Sequence, residues 1–220
     1  HGVEPYGIRR GFTGLIYNEM FPMELGSVAD IIQRGGTTLR TSRSAEFMTP
    51  EGRGVALQNL RYRQIDGLVI LGGDGSFRGG LELAKAGVPV IGVPSSIDND
   101  IPCTEYAIGF DTAVNTALEA INKIRDTATS HERIFIIEVM GHSTGYIALE
   151  AGLAGGAESI LLPEIPYDID DIVKKLRRGQ SRGKLHSILV VAEGAANAIE
   201  LGNQLKELTN ADVRVTILGH

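Results

Sequence analysis

The 220-residue sequence predicts an α/β fold, a mainly parallel sheet with helices on both faces. Three observations carry that reading. Short apolar runs end on glycine or proline, as strands buried on both faces do. Stretches with apolar residues at helical spacing alternate with those runs. Glycine supplies 28 of the 220 residues, about twice the usual ~7%, and it falls between the apolar runs without a period. That pattern excludes collagen-like and disordered chains and suits turns where backbone passes close to a ligand or another strand.

Taken in order, residues 65–71 (IDGLVIL) read as a buried strand, 81–86 as a short helix and 88–94 (VPVIGVP) as a second buried strand. Val114, Ala117, Leu118, Ile121 and Ile124 then fall at helical spacing behind Asp111 as N-cap. Residues 133–140 (RIFIIEVM) form the next strand, 145–153 a helix and 159–162 a short strand. Residues 168–178 carry acidic residues first and Lys174, Lys175, Arg177 and Arg178 last, with Gly179 as the stop, matching the helix dipole. Strands at 187–192 (SILVVA) and 213–218 (VRVTIL) flank a helix near 196–208. The long helix after residue 109 divides the chain into lobes of residues 1–109 and 110–220.

Lys and Arg total 21 against 27 Asp and Glu, a net charge of −6. A general nucleic-acid binder needs a basic face, so that class is disfavoured, while a small phosphorylated ligand held by a few cations is not. The single cysteine, Cys103, excludes an internal disulfide framework and a cysteine-based zinc site. No apolar stretch approaches the ~18 residues of a membrane span. The opening HGVEPYGIRR has no signal-peptide pattern, and the expected location is cytoplasmic.

Ligands of open α/β sheets gather at the carboxyl ends of strands. Gly72-Gly73-Asp74-Gly75-Ser76 follows the first buried strand, and its backbone N–H groups can close on phosphate oxygens. Asp74 in such a turn suits an accompanying Mg²⁺; the alternative is a tight strand–helix turn with Asp74 as N-cap. No Walker A lysine follows, and Arg78 stands where a dinucleotide fingerprint needs its third glycine. At the next strand end, Asp98 and Asp100 stand two apart in an extended segment and project to one side. One carboxylate can bind a metal while the other accepts a proton, as phosphoryl transfer requires, and Ser96 can orient the base or contact phosphate. The alternative is an Asx-turn network satisfied by local backbone.

GGDGS at 72–76, SIDND at 96–100, IGFDTA at 108–113, SHERIFIIEVMG at 130–141 and RVTILGH at 214–220 resemble, in order and spacing, the motifs of the 6-phosphofructokinases. The resemblance covers essentially the whole chain. It implies two-lobed α/β subunits, usually allosteric homotetramers, that transfer the γ-phosphoryl of ATP to the 1-hydroxyl of fructose 6-phosphate with Mg²⁺ in glycolysis. Position by position it implies Asp98 as base, Asp74 and Asp100 as Mg²⁺ ligands, and Gly73, Gly75 and Ser76 along the ATP phosphates. Arg43 matches the arginine on the transferring phosphoryl group, Ser96 a hydroxyl beside the base, and Phe12 an aromatic near adenine. Met140, Gly141 and Glu193 match the sugar pocket. Arg214 and His220 match groups around the 6-phosphate, and Arg133 an arginine that reaches that phosphate from a neighbouring subunit. Arg133 as a solvated rim residue and Glu193 as a helix cap are the alternatives. His142 stands where the family carries arginine, and a surface or backbone role is expected of it.

Pyrophosphate-using relatives carry an aspartate after GGD and a lysine two residues before IDND. Gly75 and Ser95 occupy those positions here, so ATP is the expected donor. The family's N-terminal strand with its Gly-rich turn, and its C-terminal helices, are not matched, and an exposed apolar surface is expected on the first lobe. Arg125, Glu158 and Lys184 resemble effector-site positions, whereas Leu25 replaces an arginine there. A non-catalytic nucleotide-binding regulatory subunit is the alternative of another class. Lipid and NAD kinases share only the GGDG turn.

Overall fold

A computed structural model describes residues 2–131 and 133–219. The chain divides into two compact units, residues 1–71 with 75–93, and residues 72–74 with 94–220.

In the first unit, β1 (Tyr6–Ile8) pairs antiparallel with β2 (Met20–Pro22) across α1 (Gly11–Ile16). α2 (Pro50–Tyr62) opens on Thr49, whose hydroxyl accepts the Gly52 N–H at 3.1 Å, with Pro50 at its first position. Asn59 of α2 donates to the carbonyls of Leu15 and Ile16 at 2.9 and 2.8 Å, satisfying the end of α1. β3 (Leu68–Gly72) and β4 (Val90–Pro94) form a two-stranded sheet joined through α3 (Asp74–Lys85). Leu15, Met20, Phe47, Leu60, Leu68 and Leu83 are the centre of this unit's core.

Two expectations change here. The helix anticipated at 81–86 begins at Asp74, so Gly75 and Ser76 belong to its first turn instead of a loop. The strands at β3 and β4 are present but not buried on both faces. Ile70 and Val90 pack toward Gly80 of α3, whereas Val69, Leu71 and Ile91 are 64, 59 and 66% exposed. Alternate strand residues face opposite ways, and within the unit α3 covers one side.

The second unit holds a four-stranded sheet in the order β6-β7-β5-β8, with every described pairing parallel. Its strands are β5 (Ile134–Val139), β6 (Ser159–Leu161), β7 (Ser187–Ala192) and β8 (Val213–Ile217). Alternation along β5 and β7 separates two cores. Ile137, Val139, Ile188 and Val190 pack with α4 (Phe110–His131) and α5 (Tyr146–Ala154). Ile134, Ile136, Leu189 and Val191 pack with α6 (Ile169–Ser181) and α7 (Ala198–Thr209). The fully buried run of β7 is the continuous apolar signature of a strand covered on both faces.

Helix ends supply two further corrections. α4 starts at Phe110, which places Asp111 in the first turn beside the positive end of the dipole, not at the cap. Gly179 lies inside α6, which runs to Ser181; Gly183, at φ +82°, takes the left-handed position that glycine tolerates best. Asp168 caps α6 as its acidic opening suggested, accepting the Asp170 N–H at 2.9 Å. Among the described residues no helix is long and apolar enough to cross a membrane.

Candidate active site

Strand order sets where the site forms in the second unit. From β5 the chain moves through α5 to β6; from β7 it moves through α7 in the other direction to β8. The carboxyl ends of the adjacent strands β5 and β7 are therefore a topological switch point, where loops diverge and leave a crevice. Met140-Gly141-His142 leaves β5 there and Glu193 leaves β7. Glu193 Oε1 accepts the backbone N–H of His142 at 2.7 Å and of Gly141 at 3.2 Å. This holds an unusual backbone, with Gly141 at φ +139° and His142 at φ +53°. Met140 is half-buried beside them. Glu193 does not cap the next helix; Asn197 does, accepting from Ile199 and Glu200 at 3.0 and 3.1 Å.

The two motif segments come together in the same unit. Ser95 donates its N–H to the Gly72 carbonyl at 3.0 Å. A Cβ placed on Gly73 would lie 3.4 Å from Ser96 Oγ, so the glycine turn runs against that hydroxyl. Ser96 Oγ accepts the Asp98 N–H at 3.1 Å, orienting the segment that carries the acid. Asn99 braces the rest of the loop, donating to the Glu105 carbonyl at 3.0 Å and accepting from Ala107 at 2.9 Å. Asp100 borders a cavity of about 620 Å³ lined also by Cys103, Glu105, Tyr106, Thr144, Tyr146 and Glu150.

Asp98 stands apart from these braced groups. Its Oδ1 is buried with no hydrogen-bond partner. Burial, then the charges of Asp100 and Glu193, push its carboxyl above the usual range, and His142 pulls the other way. A buried carboxylate oxygen left without a donor costs stability, and such orphans mark sites of chemistry.

Arg133 and Arg214 meet at the other end of the sheet, where Asp212 accepts from Arg133 Nε at 2.6 Å and from Arg214 Nη2 at 3.3 Å. Arg133 is therefore ion-paired, not a freely solvated rim residue.

A family model described as phosphofructokinase matches residues 1–220. The chain belongs to the phosphofructokinase family. It is 56% identical over 220 residues to an ATP-dependent 6-phosphofructokinase of Bacillus pumilus (strain SAFR-032) and 57% identical to one of Bacillus subtilis (strain 168). Each match takes in all of this chain and 69% of the relative. The solved phosphofructokinase of Saccharomyces cerevisiae superposes with a TM-score of 0.89 at 34% identity, over the whole of this chain and 34% of that one. The chain thus spans about a third of the yeast polypeptide.

The remaining positions singled out on phosphofructokinase resemblance are placed as follows. In the first unit, Arg43 is exposed in a loop where Ser42 Oγ donates to its carbonyl at 3.1 Å. Phe12 stacks on Phe47 with ring centroids 4.0 Å apart and planes 12° apart, and Gly79 of α3 makes room for it. Gly75 and Ser76 open α3, where N–H groups lack helical partners and favour an anion. Asp74 begins that helix. His220 lies outside the described residues. Of the effector-type positions, Lys184 pairs with Glu158, which also accepts the Ile188 N–H, and Arg125 donates to the carbonyls of Gly155 and Gly156. Leu25 is exposed in the first unit.

Sequence reasoning missed Asp212 and Glu164. Glu164 accepts the Gly145 N–H at 2.8 Å ahead of α5, and Asp212 joins the two arginines. The Glu164 and Asp212–Arg133 contacts span 19 and 79 residues, so no spacing along the chain signalled them, whereas the Asp212–Arg214 pair is local.

Proposed function

We propose that the chain is an ATP-dependent 6-phosphofructokinase that transfers the γ-phosphoryl of ATP to the 1-hydroxyl of fructose 6-phosphate, giving fructose 1,6-bisphosphate and ADP in cytoplasmic glycolysis. The observation that carries this reading is the orphaned, half-buried carboxylate of Asp98, held on the Ser96 hydroxyl beside the Gly72-Gly73 turn. An attacking alcohol must lose its proton as the new O–P bond forms, and an acceptor with a raised pKa and a vacant oxygen is suited to take it.

The other roles are those the phosphofructokinase resemblance implies, and their chemistry is consistent with them. The glycine turn and the first N–H groups of α3, at Gly73, Gly75 and Ser76, receive the ATP phosphates. Arg43 stabilises charge on the transferring phosphoryl, and Phe12 borders the adenine. Ser96 holds the segment carrying the base, and Met140, Gly141 and Glu193 form the sugar pocket. Glu193 spends one oxygen on the β5 loop and keeps acceptor capacity for sugar hydroxyls. Arg133, Arg214 and His220 receive the 6-phosphate, two guanidiniums giving charge-assisted bonds that lysine does not reproduce. Arg133 and Arg214, held together at the end of the sheet opposite the Glu193 pocket, both serve the sugar phosphate of a neighbouring protomer, which makes the working form a homo-oligomer.

Asp74 and Asp100 would hold Mg²⁺. The donor set fits: Asp74 and Asp100 are carboxylates on the two segments that meet where the Ser95 N–H reaches the Gly72 carbonyl, and Mg²⁺ is commonly held by one or two carboxylates plus substrate phosphates. Bound there, the ion supplies positive charge to the phosphate oxygens. ATP is favoured over pyrophosphate because Gly75 carries no carboxylate and Ser95 no charge.

The test is phosphoryl transfer to fructose 6-phosphate with ATP and pyrophosphate in parallel. Turnover with ATP alone is expected. Turnover with pyrophosphate overturns the donor, and ATP binding without transfer points to a regulatory subunit.

A further inference from the structure

Asp212 ends the loop between α7 and β8. Its carbonyl accepts the Ile134 N–H at 3.1 Å, which fixes it beside the start of β5. The register pairs Ile134 with Val213 and Phe135 with Arg214, so Arg133 and Arg214 leave neighbouring parallel strands close together. Between them the Asp212 carboxylate accepts Arg133 Nε on Oδ2 at 2.6 Å and Arg214 Nη2 on Oδ2 at 3.3 Å, with Arg214 Nε ion-paired 3.1 Å from Oδ1. All three side chains reach solvent, at 27% for Arg133, 54% for Arg214 and 44% for Asp212. The hydrogen bond from Arg133 holds the Asp212 carboxyl below its ordinary range, with burial opposing and Arg214 adding.

Two guanidiniums on adjacent strands repel each other, and each long side chain loses rotamer freedom when it is held. A carboxylate between them offsets the repulsion and orders both before a ligand arrives. It accepts from Arg133 through Nε and from Arg214 through Nη2, and a guanidinium has five N–H groups, so each keeps others to give. The trio keeps a net positive charge, so a doubly charged phosphate gains where a neutral sugar does not.

We propose that Asp212 is a positioning residue for phosphate recognition, holding Arg133 and Arg214 side by side so that both meet one phosphate group. This rests on the reading of those arginines as sugar-phosphate ligands. A carboxylate that merely competed with phosphate would have the opposite effect when removed, so the direction of the change decides.

The experiment compares wild type with Asp212→Asn and Asp212→Glu, varying fructose 6-phosphate at saturating ATP. Asp212→Asn is expected to raise the sugar-phosphate KM roughly three- to tenfold, leaving kcat and the ATP KM nearly unchanged, with Asp212→Glu recovering most of the loss. Thermal melting with and without inorganic phosphate reads the same effect without turnover: phosphate should raise the wild-type midpoint more than that of Asp212→Asn. An unchanged or lowered KM, equal phosphate shifts, or a parallel fall in kcat and both affinities overturns the proposal. A wild-type protein that transfers nothing to fructose 6-phosphate removes the underlying reading instead, and the proposal with it.

Discussion

Glu193 Oε1 accepts the backbone N–H of His142 at 2.7 Å, tying the loop after β7 to the loop after β5. One carboxylate thereby fixes the backbone of the loop proposed to form the sugar pocket. Hydrogen bonds to charged groups contribute about 1.5–3 kcal/mol. Glu193→Ala is expected to raise the fructose 6-phosphate KM roughly 10- to 100-fold, with a smaller rise for Glu193→Gln, which keeps an acceptor oxygen. Steady-state kinetics with each variant checks this, and an unchanged KM for the alanine variant rejects the pocket assignment.

Asp98→Asn removes the proposed proton acceptor but nearly preserves shape. It should lower kcat by roughly 10²–10⁴-fold while sparing substrate binding. Near-normal turnover removes Asp98 from the role of base.

The same carboxyl carries a pH signature. Its folded pKa lies above the ordinary value of 3.8, so across that interval the folded protein binds more protons than the unfolded one. Asp98 therefore opposes stability as pH rises through the interval and ceases to do so at low pH. Asp98→Asn should raise the melting midpoint at neutral pH, with a gain that shrinks on acidification. In activity, the acid limb of the wild-type rate profile should lie above that of an ordinary aspartate. Melting curves that respond alike in both proteins at every pH contradict the assignment.

Gly75→Asp separates donor choice from folding. Open space surrounds the position, and an acidic residue in the first turn of α3 suits its dipole. The variant should melt within about 0.5 kcal/mol of wild type while its ATP KM rises, because the carboxylate repels the nucleotide phosphates. Undiminished ATP use excludes Gly75 from donor selection.

Asn59→Ala tests the first unit alone. The carbonyls of Leu15 and Ile16 lose their donor, and a destabilisation of about 1–3 kcal/mol is expected from denaturant unfolding. A change below 0.5 kcal/mol means those carbonyls find other partners.

Much of the fold was legible because its signals are local. The run SILVVA is β7 from its first residue to its last, and the acid-to-base ordering of α6 located that helix. Boundaries that depend on caps were less legible: Gly179 looks like a stop, yet the buried Ile172, Val173 and Leu176 anchor a helix that continues past it. Burial was misread at β3, where the run LVIL is identical in character whether one face or two are covered.

The sequence by itself determined the α/β alternation, the family, and the side chains available for phosphate and proton chemistry, because residue type and spacing are properties of neighbours along the chain. Tertiary structure decided which of those groups meet. It placed residues 94–109 with the second unit, joined Glu193 to His142, left Asp98 Oδ1 without a donor and set Asp212 between Arg133 and Arg214. The Glu193 and Asp212 contacts depend on sheet order and strand register, which bring together segments 50 to 80 residues apart, such as Gly141 with Glu193 and Arg133 with Asp212. Pairing at that range is set by the packing of whole strands and helices, not by any pattern between the residues themselves.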